Sequence, residues 1–313
     1  MSRAGAVQPQ RCVVIFRQRI CIANVAVLRP RARLVESVTH FDAEADLSHQ
    51  NISIMKAIRS VLLAALLSVA ATAPALAADD LAQVKASGVF RVGTEGTYAP
   101  FTYHDASGKL TGFDVDIATA IAQRLGVKPQ FIEGKWDGLI AGLDVNRYDA
   151  VINEVSITDA RKEKYDFSTP YIATHAVLIV RSDNTTIHSF DDLKGKKSAN
   201  TLTSNFGKLA ASHGADVVPV QGFNESIDLL TSGRVDATVN DSLSFLDFQK
   251  HKPDAKLKVA FTDTSSADDQ SGVLIRKGNP ELLAAIDKAL AQIKADGTYA
   301  RISQKYFGKD VSQ

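Results

Sequence analysis

From residue 89 onward, short β-branched runs alternate with stretches whose apolar residues recur at helical spacing. Each run is bounded by turn-forming residues, which is typical of strands joined by crossover helices. The predicted strands span 89–93, 130–132, 150–153, 176–180, 216–220, 237–240 and 273–276. This alternation predicts an α/β fold with mostly parallel sheets and helices on their faces.

Helix boundaries are marked by capping residues. The stretch 113–125 places six apolar side chains on one helical face and predicts an amphipathic helix. Asn224 is predicted as the N-cap of a helix that runs to Leu230 and is closed by Gly233. Asn279-Pro280 opens another helix, which we expect to end before Gly297.

Residues 55–77 have the layout of a secretory signal peptide. Lys56 and Arg59 form a positive start, an apolar run covers 61–73, and Ala75 and Ala77 form a small-x-small cleavage site. The run of about thirteen residues is shorter than the roughly twenty that a membrane-spanning helix needs. We expect cleavage before residue 78; a buried core helix is the alternative.

The leader, residues 1–54, precedes this segment and shows no periodicity. It carries seven arginines between Arg3 and Arg33, and both cysteines, Cys12 and Cys21. We interpret it as a mis-assigned leader, unstructured, with Met55 as the true first residue; a transit or regulatory segment is the alternative.

The predicted mature chain, 78–313, has 27 basic and 31 acidic residues, so its net charge is near −4. That balance gives no basic footprint for nucleic acid. The mature chain has no cysteine. It therefore cannot form disulfides, use a thiol nucleophile or carry a lipid on a cysteine. Its histidines are scattered without metal-ligand spacing, and we expect no metal, no cofactor and no catalytic residues. The histidines are His104, His175, His188, His213 and His251.

Turn-rich segments at 182–189 and 262–272 divide the mature chain. They would bound a middle block inserted into a first lobe.

A series of motifs resembles the extracellular solute-binding proteins of polar amino acid ABC importers. The resemblance covers essentially all of 78–313, and the motifs carry it together, in order, rather than singly. Within the family, residues 135–138 (KWDG) and 153–158 (NEVSIT) are most similar to the L-cystine-binding branch. The other motifs are VGTEGTYAPF at 92–101, GFDVD at 112–116, YDFSTPY at 165–171, DDLKG at 191–195, GRVDA at 233–237 and KYFG at 305–308.

The resemblance implies a type II periplasmic-binding-protein fold with two lobes joined by a two-strand hinge. We expect lobe 1 to comprise 78–174 plus 269–313 and lobe 2 to comprise 175–268. It also implies a periplasmic monomer that captures a free amino acid, cystine or another polar one, by hinge closure and delivers it to an inner-membrane ABC permease.

The same resemblance assigns the groups that bind the ligand's charged ends. Arg161 would hold the carboxylate with its planar fork, helped by backbone donors at Ser204 and Asn205. Asp241 would accept from the α-ammonium, and Ser156 would add a hydroxyl. Without the resemblance, Arg161 can also be interpreted as a solvated arginine. Ser204 and Asp241 can be interpreted as helix N-caps. The loop departs from the family pattern, because Thr203 stands near a position where a glycine is usual.

Selectivity for the ligand side chain is assigned to Glu95, Tyr98, Trp136 and Glu154, and Asn153 is counted among the ligand-binding residues. The two aromatic rings would sandwich an extended side chain, although Trp136 also reads as a core residue. Glu95 would bind an ammonium group at the distal end of the ligand. Glu154 either recognises a cationic ligand or points away from the ligand.

Two other classes of function stay open on sequence grounds. A secreted cyclohexadienyl dehydratase-like enzyme would use the same fold, with Arg161 on a substrate carboxylate and Glu154 as general acid. A sensor domain of a signalling receptor is the other, although no spanning segment follows the signal peptide.

Overall fold

The computed structural model describes residues 80–265 and 270–311. The predictions for the leader and the signal peptide fall outside these residues. The helices are α1 (Asp80–Ser87), α2 (Phe113–Leu125), α3 (Trp136–Leu139), α4 (Asp159–Lys162), α5 (Asn205–Ser212), α6 (Phe223–Thr231), α7 (Ser242–His251), α8 (Pro280–Ala295) and α9 (Thr298–Phe307). Short 3-10 turns occupy Ile140–Gly142 and Phe190–Leu193.

The strands build two five-stranded sheets and smaller ribbons. They are β1 (Val89–Thr94), β2 (Thr97–Tyr98), β3 (Thr102–His104), β4 (Leu110–Thr111), β5 (Lys128–Glu133), β6 (Ala150–Val151), β7 (Tyr165–Phe167), β8 (Ile172–Ala173), β9 (Ala176–Arg181), β10 (Lys197–Asn200), β11 (Asp216–Pro219), β12 (Ala237–Asp241), β13 (Leu257–Thr262), β14 (Gln270–Ser271) and β15 (Leu274–Arg276).

Each large sheet is mixed. The first has the order β5-β1-β6-β15-β7, and the second has the order β11-β10-β12-β9-β13. In the first sheet β1 runs parallel to β5 and β6, whereas β15 runs antiparallel to β6 and β7. In the second, β10 runs parallel to β11 and β12, whereas β9 runs antiparallel to β12 and β13. The predicted α/β class is confirmed, but the sheets are mixed rather than mostly parallel.

The antiparallel pairs have a physical cause. The chain leaves the first sheet after β7, enters the second at β9, leaves it after β13 and returns at β15. These entry and exit strands are not joined to their neighbours by a crossover helix, and only such a connection forces a parallel pairing.

Two segments cross between the sheets. They pair antiparallel as β8 and β14, with Ile172 opposite Ser271 and Ala173 opposite Gln270. Ser271 also forms a bridge with Ser156. We call this pair of segments, β8 and β14, the crossing ribbon. The predicted two-lobed arrangement is confirmed, with the first lobe built on the first sheet and the second lobe on the second.

Helix α2 anchors the core of the first lobe. Its predicted apolar face is buried throughout, and Phe113 meets the edge of Tyr299 at 5.8 Å between ring centroids. Gly126 ends α2 in the left-handed conformation at φ 73°; its amide donates to the Gln123 carbonyl, and the Val127 amide donates to the Ala122 carbonyl. Burying a side chain such as Phe113 or Ile117 contributes about 1.5–3 kcal/mol. Leu178, Val180, Phe190, Leu193 and Val239 are buried in the second lobe.

One capping prediction is wrong. Helix α6 begins at Phe223 with Gly222 as N-cap, so Asn224 lies inside the first turn. Its side-chain amide instead donates to the Thr97 carbonyl at 3.3 Å, a partner on the other lobe that local sequence does not reveal. The predicted helix end before Gly297 is confirmed, since α8 stops at Ala295 and Gly297 adopts φ 77°.

Within 80–265 and 270–311, no helix has the length and apolar character needed to cross a membrane.

Candidate ligand site

A cavity lies between the lobes, against the carboxyl ends of strands from both sheets, where open α/β sheets usually bind ligands. The space between its walls, including the part open to solvent, is about 470 Å³. Its lining comes from both lobes: Glu95, Tyr98, Trp136, Asn153, Glu154, Asn200, Thr201, Ser204, Asn205, Phe206, Gly222, Phe223, Ser226 and Asn240. We call it the inner cavity.

A second space adjoins the inner cavity, and Asn205 and Phe206 line both. We call it the outer cavity; Ser156, Thr158, Arg161 and Thr174 also line it. Seven of the predicted site residues therefore line the inner cavity, and Ser156 and Arg161 line the outer one. Asp241 lines neither and is fully buried at the end of β12.

The aromatic side chains of the inner cavity are fixed by their neighbours. Tyr98 donates from its hydroxyl to Asn240 Oδ1 at 2.8 Å, and its ring meets the edge of Phe223 at 6.4 Å between centroids. Trp136 is buried, and its indole Nε1 has no hydrogen-bond partner among the described residues. The Arg161 guanidinium carbon lies 5.3 Å from the centre of the Trp136 ring, within range of a cation–π contact. The ring thus faces both cavity space and the predicted carboxylate-binding group.

Glu95 and Asn153 form one polar unit. Asn153 Oδ1 accepts from the Glu95 amide at 2.7 Å, and its Nδ2 donates to Glu95 Oε2 at 2.7 Å. Burial raises the pKa of Glu95 to about 7, the Asn153 hydrogen bond opposes the rise, and Asp137 adds to it. A cationic group entering the cavity would relieve this unfavourable burial of charge.

Glu154 does not point away from the site. It adopts φ 51° and is 4% exposed. Its Oε1 accepts from the Ser271 hydroxyl at 2.9 Å and, more weakly, from the Thr174 hydroxyl at 3.4 Å. Burial, then the charge of Asp241, raises the pKa of Glu154 well above its usual range.

The two carboxylate oxygens of Asp241 have different surroundings. Oδ1 caps α7 by accepting from the amides of Leu243 and Ser244 at 2.8 and 2.9 Å. Oδ2 is buried and makes no hydrogen bond to any described residue. Burial raises the pKa of Asp241 to about 6, although the nearby Thr174 hydroxyl and the amides at the start of α7 oppose the rise. A buried carboxylate oxygen without a donor is costly unless a ligand supplies one.

Arg161 lies in the last turn of α4, half-buried. Its Nη1 donates to the Ser156 carbonyl at 2.8 Å. The opposite wall of the outer cavity is the first turn of α5, where Ser204 is the N-cap and accepts from the Gly207 amide at 2.9 Å. The Ser204 hydroxyl also donates to the Thr201 carbonyl. It is therefore engaged within its own turn, as the N-cap alternative anticipated.

The lobes are in contact across the cleft. Asp137 Oδ1 accepts from both the amide and the hydroxyl of Thr203, at 3.0 and 2.9 Å. Asn205 Nδ2 donates to the Ser156 hydroxyl at 3.1 Å, and the Ser244 hydroxyl donates to the Ala99 carbonyl at 2.8 Å. Together with the bond between Tyr98 and Asn240, these contacts describe a closed cleft.

Sequence reasoning missed much of the second-lobe lining. Asn200 ends β10, a strand whose polar residues gave no strand signal, and Thr201 follows it; Asn240 directly precedes the predicted Asp241. Gly207 was also missed. A Cβ there would lie 2.3 Å from the Thr201 carbonyl oxygen, so only glycine lets α5 approach the loop that lines the cavity. Knowing that ligands gather at the carboxyl ends of strands would have found Asn240.

Within the described residues, no group of three or more histidine, cysteine, aspartate or glutamate side chains is placed to hold a metal ion.

A family model described as bacterial extracellular solute-binding proteins, family 3, matches residues 90–309. The chain belongs to this family. The recognition made from the sequence motifs is confirmed, and the homologues on which it rests are non-enzymatic solute-binding proteins. The expectation of a binding protein of the amino acid importer type is likewise confirmed.

One similar protein is the L-cystine-binding protein TcyA of Bacillus subtilis (strain 168). It is 46% identical over 234 residues, which cover 74% of this chain and 86% of TcyA.

Two solved structures bear on the state of the cleft. An ancestral arginine-binding protein bound to arginine is 43% identical, covering 71% of this chain and 99% of that one, with a TM-score of 0.67. The L-cystine solute receptor of Neisseria gonorrhoeae, in its unliganded open conformation, is also 43% identical, covering 74% and 99%, but its TM-score is 0.51. At equal identity, the arrangement of the lobes here is closer to the ligand-bound structure.

Proposed function

We propose that the mature protein captures a free amino acid in the inner and outer cavities and releases it to an inner-membrane ABC permease. The observation that carries this proposal is the bare, buried Oδ2 of Asp241, whose neighbours Asn240 and Thr174 line the inner and the outer cavity respectively. An α-ammonium supplies the charged donor that this oxygen lacks, and a buried carboxylate of this kind is stabilised by such pairing.

The ligand's carboxylate would pair with Arg161 in the outer cavity. The guanidinium offers parallel donors that match a carboxylate, and backbone amides at the start of α5 face the same space. Ser156 and Asn205, which now bond each other across the cleft, would turn to the ligand. The aliphatic part of the ligand would lie between Tyr98 and Trp136 in the inner cavity.

The distal end of the ligand would meet Glu95 and Asn153. Because the burial of Glu95 raises its pKa to about 7, a second ammonium at this end would be favourable. L-cystine carries two ammonium groups and two carboxylates, and similarity to TcyA favours it. Arginine and other amino acids with a cationic end are the other candidates, as the likeness to an arginine-bound protein indicates.

We also propose lobe boundaries at 78–174 plus 269–313 and at 175–268. The crossing ribbon supports them, since β8 and β14 lie within one or two residues of both proposed junctions. A monomer with a cleaved signal peptide at 55–77 is proposed for the periplasm. N-terminal sequencing of the exported protein is expected to begin at residue 78.

A thermal-shift panel tests the proposed function. Residues 78–313 are unfolded and refolded to remove carried-over ligand and then mixed with each common amino acid and L-cystine. Ligand at 100 times its Kd adds about 2.7 kcal/mol, which raises the Tm by roughly 5–10 °C for a chain of this size.

Two analogues of cystine distinguish the contribution of the amino groups to binding from that of the carboxylates. Cystamine keeps the disulfide and both amines but lacks the carboxylates; 3,3′-dithiodipropionate keeps the carboxylates but lacks the amines. A shift with cystine and none with either analogue supports the two-ended clamp. Folded protein that no amino acid stabilises would contradict the proposal.

A further inference from the structure

Glu154 joins the floor of the cleft to the crossing ribbon. Its Oε1 accepts from Ser271 on β14 and from Thr174, the residue directly after β8. It also lines the inner cavity. The side chain therefore touches both segments about which the lobes turn, and the space that a ligand would enter.

The titratable groups that face Glu154 are acids and phenols from four different elements. Asp114, in the first turn of α2, accepts from the Glu154 amide at 2.5 Å, and the Tyr171 hydroxyl, just before β8, lies 3.2 Å from the same amide. Asp241 faces it from the end of β12, and Tyr98 faces it from β2. Asp114 Oδ1 and Asp241 Oδ2 are both buried with no hydrogen-bond partner among the described residues.

The charges of this cluster do not balance in a closed cleft. Asp114, Glu154 and Asp241 would carry three negative charges if all were ionised. One α-ammonium neutralises Asp241, while Arg161 is taken by the ligand's carboxylate. Leaving further buried carboxylates ionised and unpaired costs several kcal/mol, so a proton on one of them is the more stable arrangement. The rise in the pKa values of Glu154 and of Asp114, to about 7 for the latter, has the same cause.

Opening the cleft lowers the cost of ionising Glu154 more than the cost of ionising Asp114. Asp241 belongs to the second lobe and moves away when the lobes separate, and water then reaches the cavity that Glu154 lines. Asp114 is buried within the first lobe and is far less affected. We propose that Glu154 carries a proton in the closed cleft, and that closing the cleft on an amino acid takes up this proton from solvent. The acid O–H then serves as a hydrogen-bond donor into the inner cavity. The inference rests on the proposed function.

Calorimetric titration measures how many protons the protein takes up when it binds the ligand. L-cystine and L-arginine are titrated into the protein at a fixed pH near 6.5–7, below the pKa of the ligand's α-ammonium, in phosphate and in imidazole buffers. The difference in heat between buffers of different ionisation enthalpy gives the number of protons exchanged. Wild-type protein is expected to take up about 0.5–1 proton per ligand, and its affinity is expected to fall by up to about tenfold per pH unit as pH rises.

Two variants isolate the residue. Glu154→Gln has the shape of the protonated acid but cannot titrate, so we expect the pH profile of binding to flatten and the proton uptake to fall by about 0.5–1 proton relative to wild type. Glu163→Gln makes the same chemical change at an exposed position and should behave as wild type.

The outcomes separate the two proposals. Binding with no proton uptake, with proton release, or with the same uptake in Glu154→Gln overturns this inference and leaves the proposed function intact. If the variant does not fold, the number of protons that wild-type protein takes up on binding is sufficient to support or overturn the inference. No binding of any amino acid overturns the proposed function and this inference with it.

Discussion

At the scale of single residues, the site is defined by carboxyl groups that the fold buries without a full set of partners. Asp241 combines an N-cap with a bare oxygen. Sequence alone left these two interpretations as alternatives, and the geometry shows that the cap uses one oxygen and leaves the other without a partner among the described residues, so the two interpretations do not exclude each other. Glu154 could not be placed from sequence, because its partners Ser271 and Thr174 lie 117 and 20 residues away.

Replacing Asp241 with asparagine is expected to weaken amino acid binding by about 2–5 kcal/mol, because a neutral amide cannot pair with the ammonium. The cap of α7 should survive, since the asparagine oxygen can still accept from Leu243 and Ser244. Calorimetric titration of the ligand found by the panel measures the loss. An unchanged Kd would contradict the role of Oδ2.

The same variant should change how stability depends on pH. The pKa of Asp241 is raised from 3.8 to about 6 in the folded protein, so the native state keeps a proton that the unfolded chain has lost. Stability therefore falls as pH rises from about 4 to about 6, by at most about 3 kcal/mol. Urea unfolding at pH 4 and pH 8 should show a smaller loss in Asp241→Asn. An equal or larger loss in the variant would contradict the burial of a bare carboxylate.

At the scale of elements, the sequence predicts well those segments whose pattern is local. Helix α2 was predicted with its observed bounds because its burial follows helical spacing. Strands β10 and β13 were not predicted. The first is polar and held by neighbours on both sides, and the second is an alternating edge strand with partners far away in sequence. Pairing between distant segments supplies structure that propensity does not.

The bridge between Asp137 and Thr203 ties α3 to the loop before α5. Because it crosses the cleft, it exists only in the closed state and should slow the escape of ligand. Asp137→Ala is expected to raise the dissociation rate by about 3–10-fold, equivalent to roughly 1 kcal/mol for exposed hydrogen bonds. Stopped-flow displacement measures it.

Asp254→Ala, an exposed aspartate of the second lobe, serves as its control and should leave the rate unchanged. If Asp137→Ala and Asp254→Ala release ligand at the same rate as wild type, the bridge does not hold the cleft closed.

At the scale of the whole molecule, the two sheets, the crossing ribbon and the contacts across the cleft describe a two-lobed protein in a closed state. The higher TM-score to an arginine-bound structure than to an open, unliganded one of equal identity agrees with this. The division into two lobes could be predicted from motifs spread along the chain. The direct contacts between the lobes could not, because each joins residues that only closure brings together.

Small-angle X-ray scattering should detect the closure. We expect the radius of gyration of residues 78–313 to decrease when a binding amino acid is added, because contacts in both lobes favour the closed state. Glycine at the same concentration, if it gives no thermal shift, is the matched control. An unchanged radius with a saturating ligand would contradict closure about the crossing ribbon.

The most direct test of the cleft as the amino acid site is titration of the panel's best ligand into wild type and Arg161→Ala. Removing the guanidinium leaves a buried carboxylate half-paired, so we expect a loss of about 2–5 kcal/mol, or roughly 30- to 4,000-fold in Kd. Arg234→Ala, an exposed arginine of the second lobe, should bind as wild type. If Arg161→Ala binds as tightly as wild type while remaining folded, the amino acid does not bind where this account places it.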